Sequence, residues 1–336
     1  MQTIKHELLT KNLIKAYVGK RVLITGAAGY LARALLSELV GVANDIICLD
    51  KIFPTDYPEQ GSARITKVKA DVTNPKIFAN IISGVDVVFH FAAQTSVYKA
   101  NENPLVDFEI NVKPMLALLD ACRKQSCFPV VLFSGTVTET GIPVILPVNE
   151  GCVDKPVTVY DLHKLMAENY LKYYVEQGMV RGVTLRLANV YGPGPKNSSA
   201  DRGILNMMVR KALKGEDLTL YGSGEFIRDY IYVKDVARAF LFAGGNIERV
   251  NGKHFVIGSG QGTTLKTAFE LVAERVAVRT GKKVKVLSVE PPVALSVIET
   301  RNFVADSSAF QKATSWLANY TFINGLDATI EALATA

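Results

Sequence analysis

The sequence predicts an α/β protein: a doubly wound parallel sheet followed by a smaller α/β domain. Short β-branched runs alternate with helical patterns through the first half, a glycine-rich turn joins the first run to the first helix, and the alternation stops after Asn189. Strands separated by helices cannot pair as hairpins, so they pair in parallel and are covered on both faces.

The elements follow in order. The opening stretch, MQTIKHELLTKNLIKAYVGK, carries Leu8, Leu9, Leu13, Ile14 and Tyr17 at helical spacing and reads as a short amphipathic helix docked on the body. RVLIT from Arg21 and DIICLD from Asp45 read as buried strands flanking a helix over Leu31 to Val40. RITKVKAD, VDVVFHFAA and VVLFS continue the strands, with a helix over Pro104 to Lys124. A helix over Tyr160 to Gln177 leads into the strand GVTLRL. Beyond Asn189, YGPGPKNSSADRG is a loop of the Gly, Pro, Ser and Asn residues from which binding loops are built. Residues 1–188, joined by about 229–250, are expected to form the larger domain, and 189–228 with 251–336 the smaller one.

Composition narrows the function. With 49% apolar and 21% charged residues the chain is an ordinary globular one. No apolar run approaches the roughly 18 residues of a membrane span, so no membrane partner is expected. The net charge of +6 is spread evenly, its densest cluster being Lys282, Lys283 and Lys285. That suits a phosphate-bearing substrate at least as well as nucleic acid, and the motifs, not the charge, decide for no nucleic-acid partner. Four cysteines without a CxxC pair, and the scattered His6, His90, His163 and His254, predict no metal site and reduced thiols in the cytoplasm.

The turn T-G-A-A-G-Y-L-A spaces Gly26 and Gly29 three apart, with Ala32 three further on. Glycines here allow a tight turn and let backbone amides approach a pyrophosphate at a helix N-terminus. Asp50 ends the next strand about 20 residues downstream, where a ribose-binding carboxylate belongs. Together they mark a Rossmann-type unit that binds NAD, because the Asp50 carboxylate repels the extra phosphate of NADP. Lys51 next door works against that preference without reversing it.

Tyr160 and Lys164 form Y-D-L-H-K on a helix. A spacing of four puts both side chains on one face, and an ammonium beside a phenol favours the phenolate. Tyr160 is therefore expected to act as a base well below its usual pKa of ~10.

With GAAGYLA, Asp50, the HFAA run at His90 to Ala93, FSGT ending at Thr136, and the Tyr160/Lys164 pair, the sequence resembles the extended short-chain dehydrogenase/reductases, and among them the NAD-dependent nucleotide-sugar epimerase/dehydratases. LRLANVYGPG around Asn189, LYGSGEFIRDYIYVKDVARA around Arg228 and RNFVAD from Arg301 extend the similarity to near the C-terminus. The resemblance implies that Gly26, Gly29 and the amides of Tyr30 and Leu31 hold the pyrophosphate. It places Asp50 on the adenosine ribose, Asp71 and Val72 at the adenine, and Ala92 and Ala93 beside the path to the nicotinamide. Thr136 would hydrogen-bond the reacting sugar hydroxyl, and Lys164 would also hold the nicotinamide ribose. Asn189, Arg228 and Arg301 would grip the substrate diphosphate, for which a guanidinium fork is suited. The family's dimer helices imply a homodimer pairing through Pro104 to Lys124 and Tyr160 to Gln177, which carry Leu116, Leu118, Leu171 and Tyr174.

Structural roles compete for several of these. Asn189 also fits a turn cap before Gly192, Arg228 a partner of Asp229 or Asp235, and Asp71 the cap of a helix beginning near Asn74. His163 reads as solvated and His90 as packed.

Departures from the family pattern sharpen the expectation. Thr140 stands where a tyrosine is common. Thr136 is followed by Val137 and Thr138, where the 4,6-dehydratases carry Asp-Glu and the decarboxylases usually carry Glu at the second position. Elimination needs an acid and a base near the sugar, and Glu139, one residue late, would face away on a strand. The expected activity is epimerisation, at C4, through a transient keto sugar. The alternatives are dehydratase, decarboxylase or reductase chemistry, then a hydroxysteroid-type dehydrogenase, then a non-catalytic NAD sensor.

Overall fold

The computed structural model describes residues 15–55, 57, 61–194, 203–291 and 297–335. Most of the expected N-terminal helix, with Leu8, Leu9, Leu13 and Ile14, lies outside the described residues. Its end forms a 3₁₀ turn, Lys15–Tyr17, from which Tyr17 donates to the Leu241 carbonyl at 2.9 Å.

The elements are β1 (Arg21–Thr25), α1 (Tyr30–Leu39), β2 (Asp45–Asp50), β3 (Arg64–Lys69), α2 (Lys76–Ile81), β4 (Val87–His90), α3 (Val97–Glu102), α4 (Pro104–Asn111), α5 (Lys113–Lys124), β5 (Val130–Thr136), α6 (Val159–Glu176) and β6 (Arg181–Leu187). Then come β7 (Asn189–Tyr191), α7 (Ile204–Lys214), β8 (Leu218–Tyr221), β9 (Ile227–Tyr232), α8 (Val233–Gly245), α9 (Ile247–Val250), β10 (His254–Ile257), β11 (Gly262–Thr264), α10 (Leu265–Thr280), β12 (Val286–Val289), α11 (Ser308–Thr314) and α12 (Phe322–Ala334). A seven-stranded parallel sheet runs β10-β6-β5-β4-β1-β2-β3. The chain winds outward one way through β2 and β3, then the other way through β4, β5 and β6. The switch between β1 and β4 opens a crevice at their carboxyl ends, where open α/β sheets bind ligands.

Strand alternation builds both faces. Val22, Ile24, Ile46 and Cys48 pack with Leu35 of α1 and Phe240 of α8 on one side. Leu23, Ile47, Leu49 and Val88 pack with Leu118 of α5 and Leu171 of α6 on the other. Fully burying such a side chain stabilises the fold by about 1.5–3 kcal/mol.

Three expectations change. The helix drawn over Pro104 to Lys124 is two, broken at Val112, because Pro114 sits in the first turn of α5 and cannot continue a helix from before it. Leu118 and Leu171 are buried in the chain's own core, so they offer nothing to a partner. The stretch 251–336 divides: β10 extends the main sheet beside β6, and Phe303, Phe310 and Trp316 join the larger core. Apart from α8 and α9, which pack on the larger core, the rest of the later chain forms a three-stranded sheet, β11-β9-β7, and a pair, β12-β8, around a separate core with Tyr191, Met208, Tyr230 and Phe269.

Candidate active site

The glycine turn lies at the switch point. Gly26 has φ +64°, and a side chain there would meet the Ala92 amide at 2.7 Å, so only glycine lets the two loops close on one another. Asp50 sits opposite and its Oδ2 accepts from the Ala28 amide at 3.0 Å, tying the turn to the end of β2. One cavity of about 330 Å³ reaches from Asp50, Ala70 and Val72 past Gly26 to Ala92 and Ala93. A second, of about 390 Å³, shares Gly26, Gly29, Phe91 and Ala93 with it and ends at Tyr160 and Lys164, with Tyr30 and Leu31 on its wall. An acid at one end, glycine amides in the middle and a Tyr/Lys pair at the other fit an extended dinucleotide. Asp71 is not in that lining. Its carboxylate pairs with Lys51 at 2.8 Å and accepts from the Thr73 amide at 2.9 Å, so it caps neither α2 nor a free amide of the groove.

Tyr160 and Lys164 are placed by α6, whose N-cap Thr158 accepts from the Asp161 amide at 3.1 Å. The Lys164 ammonium lies 4.2 Å over the Phe133 ring and is buried. Burial lowers Lys164 to about 8 against the pull of Glu139, Asp107 and Glu168. Tyr160 departs from expectation. Burial, then the charges of Asp161, Glu139 and Asp107, push it above its ordinary value. In the protein alone, desolvation of the phenolate outweighs the ammonium one helical turn away.

Thr136 ends β5 and caps the 3₁₀ turn Val137–Thr140 in a capping box with Glu139, whose Oε1 accepts from the Thr136 amide at 2.9 Å. Because the segment is a turn and not a strand, Glu139 points into the protein, pairing with buried Arg186 at 2.9 Å. Arg186 also pairs with Glu168 at 2.7 Å and with Asp154. The Thr136 and Thr138 hydroxyls are 2.9 Å apart, and Thr138 is hydrogen-bonded in turn to the carboxyl of Asp161. His163, expected in solvent, is buried with Nδ1 2.7 Å from Asp107, which fixes α6 against α4. His90 is packed as expected, its ring stacked on Phe133 and Nδ1 2.9 Å from the Thr25 hydroxyl.

Arg228 and Arg301 take different places. Arg228 donates to the carbonyls of Ile227 at 3.1 Å, Glu299 at 2.7 Å and Arg301, and it pairs with neither Asp229 nor Asp235. Those carboxylates serve backbone amides instead: Asp229 takes Ser259, Gly260 and Ala305, and Asp235 takes Asn319 and Tyr320. Arg301 lines the cavity beside Asn189, and among the described residues its buried Nε and Nη1 have no hydrogen-bond partner. Burial lowers Arg301 to about 10. Thr95, Asn206 and Tyr230 also line this cavity and were missed in the sequence. Tyr230 lies two residues from Arg228 on β9, a same-face spacing that could have found it; the other two carried no signal.

Among the described residues no helix is long and apolar enough to cross a membrane. The fold and the groove define an extended short-chain dehydrogenase/reductase with an NAD site. The chain belongs to the NAD dependent epimerase/dehydratase family, whose family model matches residues 22–258. UDP-glucose 4-epimerase of Mycolicibacterium smegmatis is 26% identical over 316 residues, 93% of this chain and 97% of the relative. The crystal structure of UDP-glucose 4-epimerase with UDP-glucose from Thermotoga maritima is 27% identical, with TM-score 0.83 over 94% of this chain and 99% of that one. UDP-glucose 4-epimerase of Thermus thermophilus in complex with NAD is also 27% identical, with TM-score 0.78 over 93% and 98%.

Proposed function

We propose that the chain epimerises a nucleoside-diphosphate sugar at C4, with uridine diphosphate hexoses as the first candidates. The observation that carries the reading is one cavity, at the end of the cofactor groove, that gathers Thr136, Tyr160, Lys164 and Arg301, whose buried Nε and Nη1 find no partner among the described residues. NAD, when bound, supplies a reversible hydride acceptor and the positive charge of the oxidised nicotinamide.

The chain's own residues do the rest. Asp50 holds the adenosine ribose, and the amides after Gly26 and Gly29 hold the pyrophosphate. Lys51 is occupied by Asp71, which leaves the Asp50 preference for NAD over NADP intact. Lys164 holds the nicotinamide ribose, and its charge, added to that of the ring, offsets the burial that raises Tyr160. Tyr160 takes the proton from the sugar hydroxyl and later returns it, while Thr136 hydrogen-bonds the same oxygen. Arg301 and Asn189 grip the diphosphate, leaving the sugar able to turn and present its other face. Val137 and Thr138 supply no carboxylate to the cavity, which favours epimerisation over elimination.

The helices α4 and α6 pack together and expose Leu105 (82%), Leu162 (45%) and Tyr173 (55%). Apolar side chains this open on neighbouring helices support a homodimer paired across that face. Four unpaired cysteines suit a reducing cytoplasm.

The test is a panel of UDP-, dTDP- and GDP-sugars, uronic acids included, incubated without added NAD and resolved for stereoisomers by NMR. Interconversion of a C4 pair is expected. Stoichiometric appearance of reduced cofactor with any of them would replace epimerisation by net oxidation.

A further inference from the structure

We propose that Asp161, as a neutral carboxyl, is a positioning residue that turns the Thr136 hydroxyl toward the reacting oxygen by way of Thr138. The inference rests on the epimerase reading and deepens it. The three groups form a chain: Thr136 Oγ1 and Thr138 Oγ1 are 2.9 Å apart, and Thr138 Oγ1 is hydrogen-bonded to Asp161 Oδ1. Thr136 and Thr138 line the cavity, while Asp161 lies behind them with no exposed surface.

Each hydroxyl carries one proton, so the chain can run in only two directions. With Asp161 ionised, Thr138 donates to it, Thr136 donates to Thr138, and Thr136 has no proton left for the substrate. With Asp161 neutral, it donates to Thr138, Thr138 donates to Thr136, and Thr136 donates into the cavity. The sugar oxygen that yields its proton to Tyr160 gains negative charge and then becomes a carbonyl. Both states require a donor. Only the second direction serves them, and it moves no proton out of the chain.

The surroundings of Asp161 favour the neutral form. An ionised, buried carboxylate needs well-placed donors on both oxygens, and among the described residues none lies within good hydrogen-bond geometry of Oδ2. Burial raises this carboxyl despite the hydroxyls of Thr138 and Thr158, the Val157 amide and the Arg301 cation, all of which pull it down. Among the described residues no ion pair joins Asp161 to Arg301. Tyr160, the neighbouring titratable group on α6, would favour the neutral carboxyl further as a phenolate.

Amide and alanine replacements separate the two directions. An asparagine can donate to Thr138 as the neutral carboxyl does, so Asp161→Asn should keep kcat within about 3-fold, whereas Asp161→Ala should lower it about 10–100-fold with KM little changed. Thr138→Ser should retain activity and Thr138→Val should lose it to the same degree as Asp161→Ala. Asparagine as damaging as alanine, or a fully active Thr138→Val, overturns the proposal. A readout that needs no turnover is infrared spectroscopy at neutral pH. The difference spectrum between the unaltered protein and Asp161→Asn should contain the C=O stretch of a protonated carboxyl, shifted in Thr138→Val. If that band is missing, the neutral donor is excluded whether or not any nucleotide sugar is epimerised. If the band is present but no sugar on the panel reacts, the epimerase reading fails instead, and with it the role in catalysis.

Discussion

Arg228 holds the chain segment that carries Arg301: its Nη2 donates to the Glu299 carbonyl at 2.7 Å and its Nη1 to the carbonyl of Arg301 itself. One arginine is thus spent on backbone so that the other can face the cavity. Replacing Arg301 by Gln should raise KM for the nucleotide sugar by about 10–100-fold with a smaller fall in kcat, the mark of lost binding shared by ground and transition states. Arg228→Gln should also raise KM and, because it frees the carbonyls of Ile227, Glu299 and Arg301, lower the unfolding midpoint. Titration calorimetry and thermal unfolding on the two variants separate the direct effect from the indirect one. Equal loss of stability in both would mean that Arg301 is structural too.

Asp50 should set cofactor choice. The unaltered protein is expected to bind NAD more tightly than NADP, and Asp50→Ala should narrow the difference by removing the repulsion of the ribose phosphate. The variant also loses the carboxylate that fixes the Ala28 amide, so its affinity for NAD should fall as well. Fluorescence titration of both reduced cofactors measures each effect. A preference for NADP in the unaltered protein would transfer the decision to a cation near the ribose.

Redox balance should distinguish an epimerase from a dehydrogenase. Turnover is expected with only the cofactor that co-purifies and no steady rise in the absorbance of the reduced form. Tyr160→Phe and Lys164→Met should each lower turnover at least ~100-fold, the scale of lost acid–base catalysis. Full activity in Tyr160→Phe would remove the proposed base.

Lys164 gives opposite pH trends for activity and stability. Burial holds it at about 8 in the folded protein, whereas an unfolded lysine has a pKa of ~10.4. Above pH about 8 the ammonium that favours the phenolate is lost, so turnover should fall. Between these two values the unfolded chain binds more protons than the folded one, so this residue makes stability rise with pH. Cys48 and Cys122, pushed up by burial to about 11 and about 12, act in the other direction once unfolded thiols ionise. The readout is therefore the difference in denaturant midpoint between the unaltered protein and Lys164→Met across pH 7–10. A difference that does not change with pH would contradict the buried, titrating lysine.

Sedimentation at micromolar concentration should show a species of twice the 36.6 kDa chain. Leu105→Glu together with Leu162→Glu should convert it to the monomer without unfolding it, since both side chains are exposed. A monomer before substitution ends the homodimer proposal.

Much of the site could be read from local pattern. Gly26, Gly29 and Asp50 were legible because a turn, a helix start and a strand end are set by neighbours within a few residues. Tyr160 and Lys164 were legible because helical spacing alone puts them on one face. The elements that failed did so where contacts are distant. HFVI at 254–257 is too short to reveal which sheet it joins, and only the open edge beside β6 decides that. His163 read as solvated because nothing near it in sequence announces Asp107 on another helix.

By itself, then, the sequence determined the parallel sheet, the NAD groove and the Tyr/Lys pair, all of which follow from short-range periodicity and backbone freedom. Tertiary structure alone decided how the charged side chains divide their work. It sent Arg228 to backbone carbonyls and Arg301 to the cavity, turned Glu139 away to Arg186, and brought Asp161 up behind Thr138. The reason is physical: a buried charge or polar group is stable only with partners, and which partners are within reach is fixed by packing between segments far apart in the chain.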